Sequence, residues 1–259
     1  MAMIAMVLIL HGGMDTLSLR LGTVAQDILL FMFPAIAVGA VVSADAGRLL
    51  CVNRLPSSAM TVLAILVLVC SIPVMNRIVA WNEAMSLPQS LEWLETWMRQ
   101  TENAAQEQVA LLLGGTSVGD LIVSLLIVGV MAGVSEEFFF RGAMQRVLSS
   151  GSVNPHLAIW ITAIIFSLFH VQFYGFFPRL LLGAFFGYLL YWSGSIWLPA
   201  LVHALNNSIV VCTSWADRVS GGETPSDVNT FGVDSVALIT LSLLLTAGII
   251  WTMSKLEKR

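Results

Sequence analysis

The apolar residues of this chain arrive in long blocks, and this pattern most constrains its fold. Seven blocks approach the roughly 20 residues that a helix needs to cross a bilayer. They cover residues 24–42, 59–80, 117–140, 155–171, 176–192, 195–213 and 233–253. Only 11% of the residues are charged, against about a quarter in soluble domains. The sequence therefore predicts an all-α fold, a polytopic transmembrane helix bundle.

Two further segments complete the predicted organisation. Residues 1–10 form a shorter apolar stretch, which we interpret as a first span because a basic n-region and a cleavage site are not evident. This gives about eight helices in a single domain, residues 1–259. Residues 86–113 form the long connection, where apolar side chains near helical spacing and two tryptophans predict an interfacial amphipathic helix. An ordinary amphipathic surface helix and a substrate-handling one fit that pattern equally.

The distribution of basic residues predicts the topology. Cytoplasmic segments are enriched in Lys and Arg. Basic residues cluster in three of the segments between or after spans, at Arg48 and Arg54, at Arg146, and at Lys255, Lys258 and Arg259. We therefore expect a multi-pass protein of a bacterial cytoplasmic membrane, with both termini in the cytoplasm and membrane lipid around it. The net charge is -4 and no basic stripe is present, so nucleic acid is not an expected partner.

Glu136, Glu137 and Arg141 lie inside the fourth predicted span, in "GVSEEFFFRGAMQ". Charges at mid-bilayer cost about 2.5–3.5 kcal/mol each on insertion scales, so they tend to face a protein interior or a water-filled cavity. Glu137 and Arg141 are four residues apart and can form an ion pair on one helix face. Glu136 points about 100° away and is left free, as suits a general base. Alternatively, all three are charges that snorkel to the cytoplasmic interface.

Polar residues also occur in the fifth and seventh spans. His170 ends the fifth span and follows Phe166 by one turn, which would place the phenyl ring beneath the imidazole. His203 and Asn207 share a face of the seventh span and supply two neutral donors side by side. Taken singly, His170 also fits an interfacial histidine, and the other two fit hydrogen bonds between membrane helices.

The depth of these residues favours one shared site. At ~1.5 Å per residue, Glu136 lies ~18 Å and His170 ~22 Å from the inner ends of their helices. His203 and Asn207 lie at ~12 and ~18 Å on the same count. Independent snorkelling residues would avoid the middle of the bilayer. We therefore expect a polar site inside the bilayer, with the fourth, fifth and seventh helices as mutual neighbours. The sixth helix would be displaced to the side and packed through Gly183 and Gly187.

Three motifs occur in order along these helices: E-E-x-x-x-R from Glu136, F-x-x-x-H from Phe166 and H-x-x-x-N from His203. In these motifs the chain resembles the CPBP (CAAX protease and bacteriocin-processing, Abi) family of intramembrane endopeptidases, relatives of the type II CAAX prenyl protease. The resemblance covers roughly residues 117–213. It implies an all-helical membrane protease that acts on a peptide or a membrane-anchored protein.

The resemblance also implies roles for individual residues. Glu136 would activate the hydrolytic water, and His170 would help to hold it. His203 and Asn207 would stabilise the oxyanion, while Glu137, Arg141 and Phe166 would support the site. This agrees with the chemistry of peptide hydrolysis, which needs a base near a bound water and donors aimed at the developing negative charge.

Several alternatives remain open at this stage. No cofactor is favoured, but Glu136, His170 and His203 could instead form a zinc site, although the HExxH spacing of soluble zinc proteases is absent. An ion- or peptide-coupled membrane transporter could also place Glu, Arg and His at mid-bilayer. A non-catalytic immunity protein could bind a peptide in the same groove.

Overall fold

The computed structural model describes residues 15–151, 153–221 and 230–256, and within these ranges the secondary structure is entirely helical. The seven predicted apolar blocks are all largely helical, with residues 59–80 divided between two helices, so the all-α prediction is confirmed. The helices are α1 (Thr16–Val42), α2 (Ala46–Leu49), α3 (Ser58–Cys70), α4 (Ile72–Glu83), α5 (Glu92–Leu112), α6 (Val118–Ser150), α7 (Pro155–Phe169), α8 (Phe176–Ser193), α9 (Trp197–Val219) and α10 (Val236–Leu256).

Four stretches of the described chain are long and apolar enough to cross a membrane: α1, α6, α10, and α8 with the turn before it. Helices α3 and α4 form a fifth candidate, bent by 48° at their junction. Pro73 lies in the first turn of α4, and proline removes a backbone donor and bends the path of a helix. Helix α7 has only 15 residues. The protein is thus an integral membrane protein, while the predicted span at 1–10 lies outside the described residues.

The outer surface of the bundle is apolar. Leu244 and Trp251 of α10 are 65% and 66% exposed, and Leu126 of α6 is 59% exposed. In water such a surface would be costly, whereas acyl chains solvate it. The buried groups, by contrast, include charged side chains of α6, among them Glu137 and Arg141. The bundle is therefore apolar outside and polar at one place inside.

Helix α6 changes its winding around the two glutamates. Residues Leu125–Ala132 and Phe138–Gln145 are π-helical, and the five residues Gly133–Glu137 between them are α-helical. The 100° step between Glu136 and Glu137 therefore applies, because both lie in the α-helical part. π-Helical turns are often found at functional sites. These turns were not predicted from the sequence.

The sixth helix of the predicted bundle, α8, is not displaced to the side, and that expectation is wrong. It packs along α7 and also contacts α9 and α6. An ideal Cβ on Gly183 would lie 3.1 Å from the Phe166 ring, and one on Gly187 would lie 2.8 Å from Ile159. The two glycines thus allow the predicted close approach, and the approach brings α8 into the centre of the site.

The chain connections bring Arg54 and Arg146 to the same end of the bundle. Arg146 at the end of α6 donates to Leu49 O, and Ser195 before α9 donates to Arg54 O. At another end, Arg218 of α9 donates to Leu113 O just after α5. This grouping agrees with the predicted topology, and the orientation relative to the cytoplasm stays a prediction.

Candidate active site

Glu136, His170, His203 and Asn207 line one cavity of about 350 Å³. A second cavity of about 350 Å³ is lined by three of the same residues, His170, His203 and Asn207. Residues from α6, the end of α7 and α9 therefore meet at one place inside the bundle. This is the convergence that the depth argument predicted, and it contradicts the interpretation of Glu136 and His170 as independent interfacial residues.

Glu137 and Arg141 form the predicted ion pair. The distance from Arg141 Nη1 to Glu137 Oε1 is 2.7 Å, and both side chains are completely buried. Arg141 also donates through Nη2 to Gly183 O at 3.0 Å. Its guanidinium lies 4.4 Å from the centroid of the Phe166 ring, within the range of a cation–π contact. The arginine thus joins α6, α7 and α8 behind the cavity.

Glu137 fixes the protonation pattern of His203. Its Oε1 atom lies 2.8 Å from His203 Nδ1. A carboxylate paired with an arginine only accepts hydrogen bonds, so Nδ1 must carry the proton. In the neutral ring Nε2 is then an acceptor, and the expected neutral donor at the cavity is not available from His203. Nε2 donates only when the ring also carries a proton there, as in the imidazolium.

Glu136 faces the same histidine from the cavity side. Its Oε2 atom is 3.9 Å from His203 Nε2, which is too long for a direct hydrogen bond. A water about 2.8 Å from both atoms would fit this separation. Glu136 is buried, with 4% of its surface exposed. Unlike Glu137, Glu136 takes no part in the ion pair with Arg141.

His170 also has an assigned tautomer. Its Nδ1 lies 2.8 Å from Phe166 O, and a carbonyl oxygen only accepts, so Nδ1 carries the proton. Nε2 of the neutral ring is therefore an acceptor on the other side of the imidazole. The Phe166 and His170 rings pack edge to face at 5.0 Å, which confirms the predicted contact. Phe166 also contacts His203, at 5.9 Å between centroids.

One further ring, that of Phe186, and the side-chain amides of Asn206 and Asn207 also border the site. Phe186 of α8 stacks on His203 with 4.8 Å between centroids, a contact that the expected displacement of the sixth helix would have excluded. Asn207 donates through Nδ2 to Val128 O at 3.2 Å, so one of its two amide hydrogens remains for another acceptor. Asn206, the residue before Asn207, lines the second cavity.

The alternative zinc site would need Glu136, His170 and His203 to surround one position. Within the described residues, no group of three or more His, Cys, Asp or Glu side chains is arranged to hold one metal ion. Glu136 and His203 face each other, but His170 does not complete a set with them. The described side chains therefore do not fit a three-ligand zinc site, and we derive no step through a metal.

Four polar residues near the site were not singled out from the sequence. Asp27 of α1 is completely buried and interacts electrostatically with Glu136. Gln172 and Arg179 line the first cavity, and Glu102 of α5 lines the second. Arg179 and Gln172 could have been noticed as polar residues in an apolar segment. No local signal distinguishes Glu102 from the other glutamates of α5.

Residues 118–209 match the family described as type II CAAX prenyl endopeptidase Rce1-like. The matched segment contains α6 to most of α9, and with them all three motifs. The resemblance to the CAAX-protease family is confirmed, and the family is one of intramembrane endopeptidases, which supports a protease acting on a peptide or protein. No curated protein and no solved structure matches the chain.

Proposed function

We propose that this protein is an intramembrane endopeptidase in which Glu136 activates a water and in which Asn207 and His203 stabilise the oxyanion. One observation carries the proposal. Glu136, His170, His203 and Asn207 line a single cavity, while Glu137 is engaged with Arg141 and His203 behind it. Of the two adjacent carboxylates, only Glu136 is left for chemistry at the cavity.

The first half of the reaction uses two acceptors and one base. His170 Nε2 and Glu136 Oε2 each accept a hydrogen bond from the water and so orient it. Glu136 removes a proton as the water oxygen bonds to the carbonyl carbon of the scissile peptide. A positioned base of this kind contributes about 10²- to 10⁴-fold to the rate.

The oxyanion then requires donors. The free amide hydrogen of Asn207 supplies one donor, worth up to about 4 kcal/mol. The imidazolium form of His203 supplies a second donor at Nε2 while its Nδ1–H donates to Glu137. As the C–N bond breaks, the leaving nitrogen takes the proton that Glu136 received from the water. Bond making, bond breaking and proton transfer therefore balance without a nucleophilic side chain.

The cavity walls indicate the type of substrate. The first cavity is also lined by apolar side chains of four helices, namely Leu19, Val109, Leu112, Val128 and Val210. Such a wall accepts apolar side chains of a peptide or of a membrane-anchored protein. The catalytic groups line the same cavity, so we place the scissile bond beside them.

The decisive test is Glu136→Gln in protein purified into nanodiscs. A substrate is first identified by comparing new peptide termini in membranes that contain the parent protein or the variant. We expect cleavage to fall by at least about 10²-fold, because the amide cannot take the proton. The thermal unfolding temperature should not change, since the substitution is nearly isosteric. Glu107→Gln, the same change at an exposed position of α5, is the matched control. Retention of most turnover by Glu136→Gln would exclude the assigned base.

A further inference from the structure

Helix α5 holds the turn that follows His170. Glu102 accepts from the Gln172 side-chain amide through Oε1 at 3.2 Å, and from the backbone N–H of Tyr174 through Oε2 at 3.3 Å. The two oxygens of one carboxylate thus bind two residues of the same turn. Glu102 lies outside residues 118–209, the segment that matches the protease family.

The turn needs such support because its backbone is strained. Val171, the residue after His170, has a φ of 54°. A β-branched residue rarely adopts the left-handed region, and such a conformation persists only where surrounding contacts hold it. The strained residue lies between His170, which lines the cavity, and Gln172, which Glu102 binds. A change at Gln172 is therefore transmitted directly to the His170 backbone.

Gln172 is also bound from the opposite side. Arg179 donates to Gln172 O at 3.0 Å and to Gln172 Oε1 at 3.1 Å. The amide group of Gln172 thus lies between two charged groups. It accepts from the Arg179 guanidinium and donates to the Glu102 carboxylate. Glu102 and Arg179 have opposite charges and interact electrostatically. Together the three side chains link α5, the turn and the first turn of α8.

Aromatic contacts bring α5 against the same turn. Trp97 packs on Phe173 with 5.4 Å between ring centroids, and the Arg99 guanidinium lies 4.4 Å from the Tyr174 ring centroid. These contacts place α5 on the turn but do not bind its backbone. Among the residues of α5, Glu102 is the one that hydrogen-bonds both a side chain and a main-chain amide of the turn.

We propose that Glu102 is a positioning residue of the active site, which holds the turn at residues 171–174 so that His170 Nε2 points at the catalytic water. The inference rests on the proposed function, because it assigns Glu102 an effect on the water that Glu136 activates. It assigns a part in catalysis to α5, which lies outside residues 118–209, the segment that matches the family.

The chain offers a matched control on the same helix. Glu107 is exposed, five residues further along α5. Glu107→Ala removes the same charge from the same helix without touching the turn. Glu95 is unsuitable, because it binds Arg99 and the Leu87 amide.

Hydrogen–deuterium exchange tests the structural half of the inference without any activity. In Glu102→Ala the Tyr174 amide loses a charged acceptor, and exchange across residues 171–176 should accelerate by about tenfold or more. Exchange in α6 and in α9 should not change, and Glu107→Ala should match the parent everywhere. Unchanged exchange of the turn in Glu102→Ala would overturn the inference. Should the alanine variant unfold, Gln172→Ala removes the bond to Glu102 Oε1 and should accelerate exchange of the turn to a smaller extent, because the Tyr174 amide keeps its acceptor.

Kinetics test the catalytic half. We expect kcat of Glu102→Ala to fall by about tenfold to a hundredfold with KM unchanged, because a misplacement of about 1 Å at a catalytic site can cost about 10²-fold in rate. Glu102→Gln, which keeps one acceptor oxygen, should restore part of kcat. Gln172→Ala combined with Glu102→Ala should cost little more than either alone, since both break one network.

The outcomes separate the two proposals. Faster exchange of the turn with a kcat equal to that of Glu107→Ala would overturn the positioning role. A loss of kcat that tracks the folded fraction, with no rescue by Gln, would likewise overturn it. If Glu136→Gln retained activity, the proposed function would fail instead, and exchange would still decide whether Glu102 holds the turn.

Discussion

Replacing Arg141 with Ala should destabilise the protein more than any other single change in the site. The guanidinium is completely buried and pairs with Glu137, which is also completely buried. The substitution leaves the Glu137 carboxylate inside the bundle without its cation. It also removes a donor from Gly183 O and a cation from the Phe166 ring.

The size of the loss in unfolding free energy depends on the partners that Glu137 keeps. Removing one partner of a buried ion pair costs about 3–5 kcal/mol. Here His203 still donates to Glu137 at 2.8 Å, so the carboxylate keeps one hydrogen bond. We therefore expect the lower end of that range, about 3 kcal/mol.

The assay is unfolding in mixed micelles, titrated with SDS and followed by tryptophan fluorescence. The double variant Glu137→Leu with Arg141→Met is the informative comparison, because it removes both charges and keeps the volume filled. Replacing a buried pair in this way is often neutral or stabilising. The double variant still leaves His203 Nδ1 and Gly183 O without their partners, so it should recover part of the free energy of unfolding, while activity stays lost. A double variant less stable than Arg141→Ala alone, or an Arg141→Ala as stable as the parent, would refute this reasoning.

Three further predictions concern the cavity and its walls. Purified protein should contain well under a stoichiometric amount of zinc, and a chelator should not reduce its cleavage activity. Stoichiometric zinc that disappears in His170→Ala and His203→Ala would contradict this. Asn207→Ala should lower kcat by about 10²-fold, and a change confined to KM would argue against an oxyanion donor. Gly133→Ala should destabilise the protein by about 1–3 kcal/mol and reduce activity, because the new Cβ would lie 2.9 Å from the Ala204 backbone nitrogen. Thermal unfolding and cleavage assays on that variant check both effects.

The local part of the site was predictable from the sequence. Spacing of four residues put Glu137 beside Arg141 and put His203 on the face of Asn207, because both pairs lie within single helices. Hydropathy located the helices, since spans must be apolar over a fixed length. Depth counting brought Glu136 and His170 to one layer, because a helix rises by a constant amount per residue.

The remainder depended on contacts between helices. The proton on His203 is set by Glu137 on another helix, and no spacing within α9 could indicate it. The place of α8 was missed because Phe186 has no polar signal, although it stacks on His203. Glu102 reaches the site across 70 residues of sequence to Gln172, and only the folded chain brings them together.

The carbonyls of α8 have one more consequence. Arg141 donates to Gly183 O and Gln145 donates to Gly187 O, at 3.0 and 3.1 Å. Both pairs are 42 residues apart in sequence. Two successive turns of α6 are therefore hydrogen-bonded to two successive turns of α8 in one fixed register. Neither helix can slide along the other by one residue without breaking both bonds. Changes in bilayer thickness are absorbed by tilt, and here α6 and α8 must tilt together. Cleavage should therefore be insensitive to lipid chain length over the range in which the bundle remains inserted.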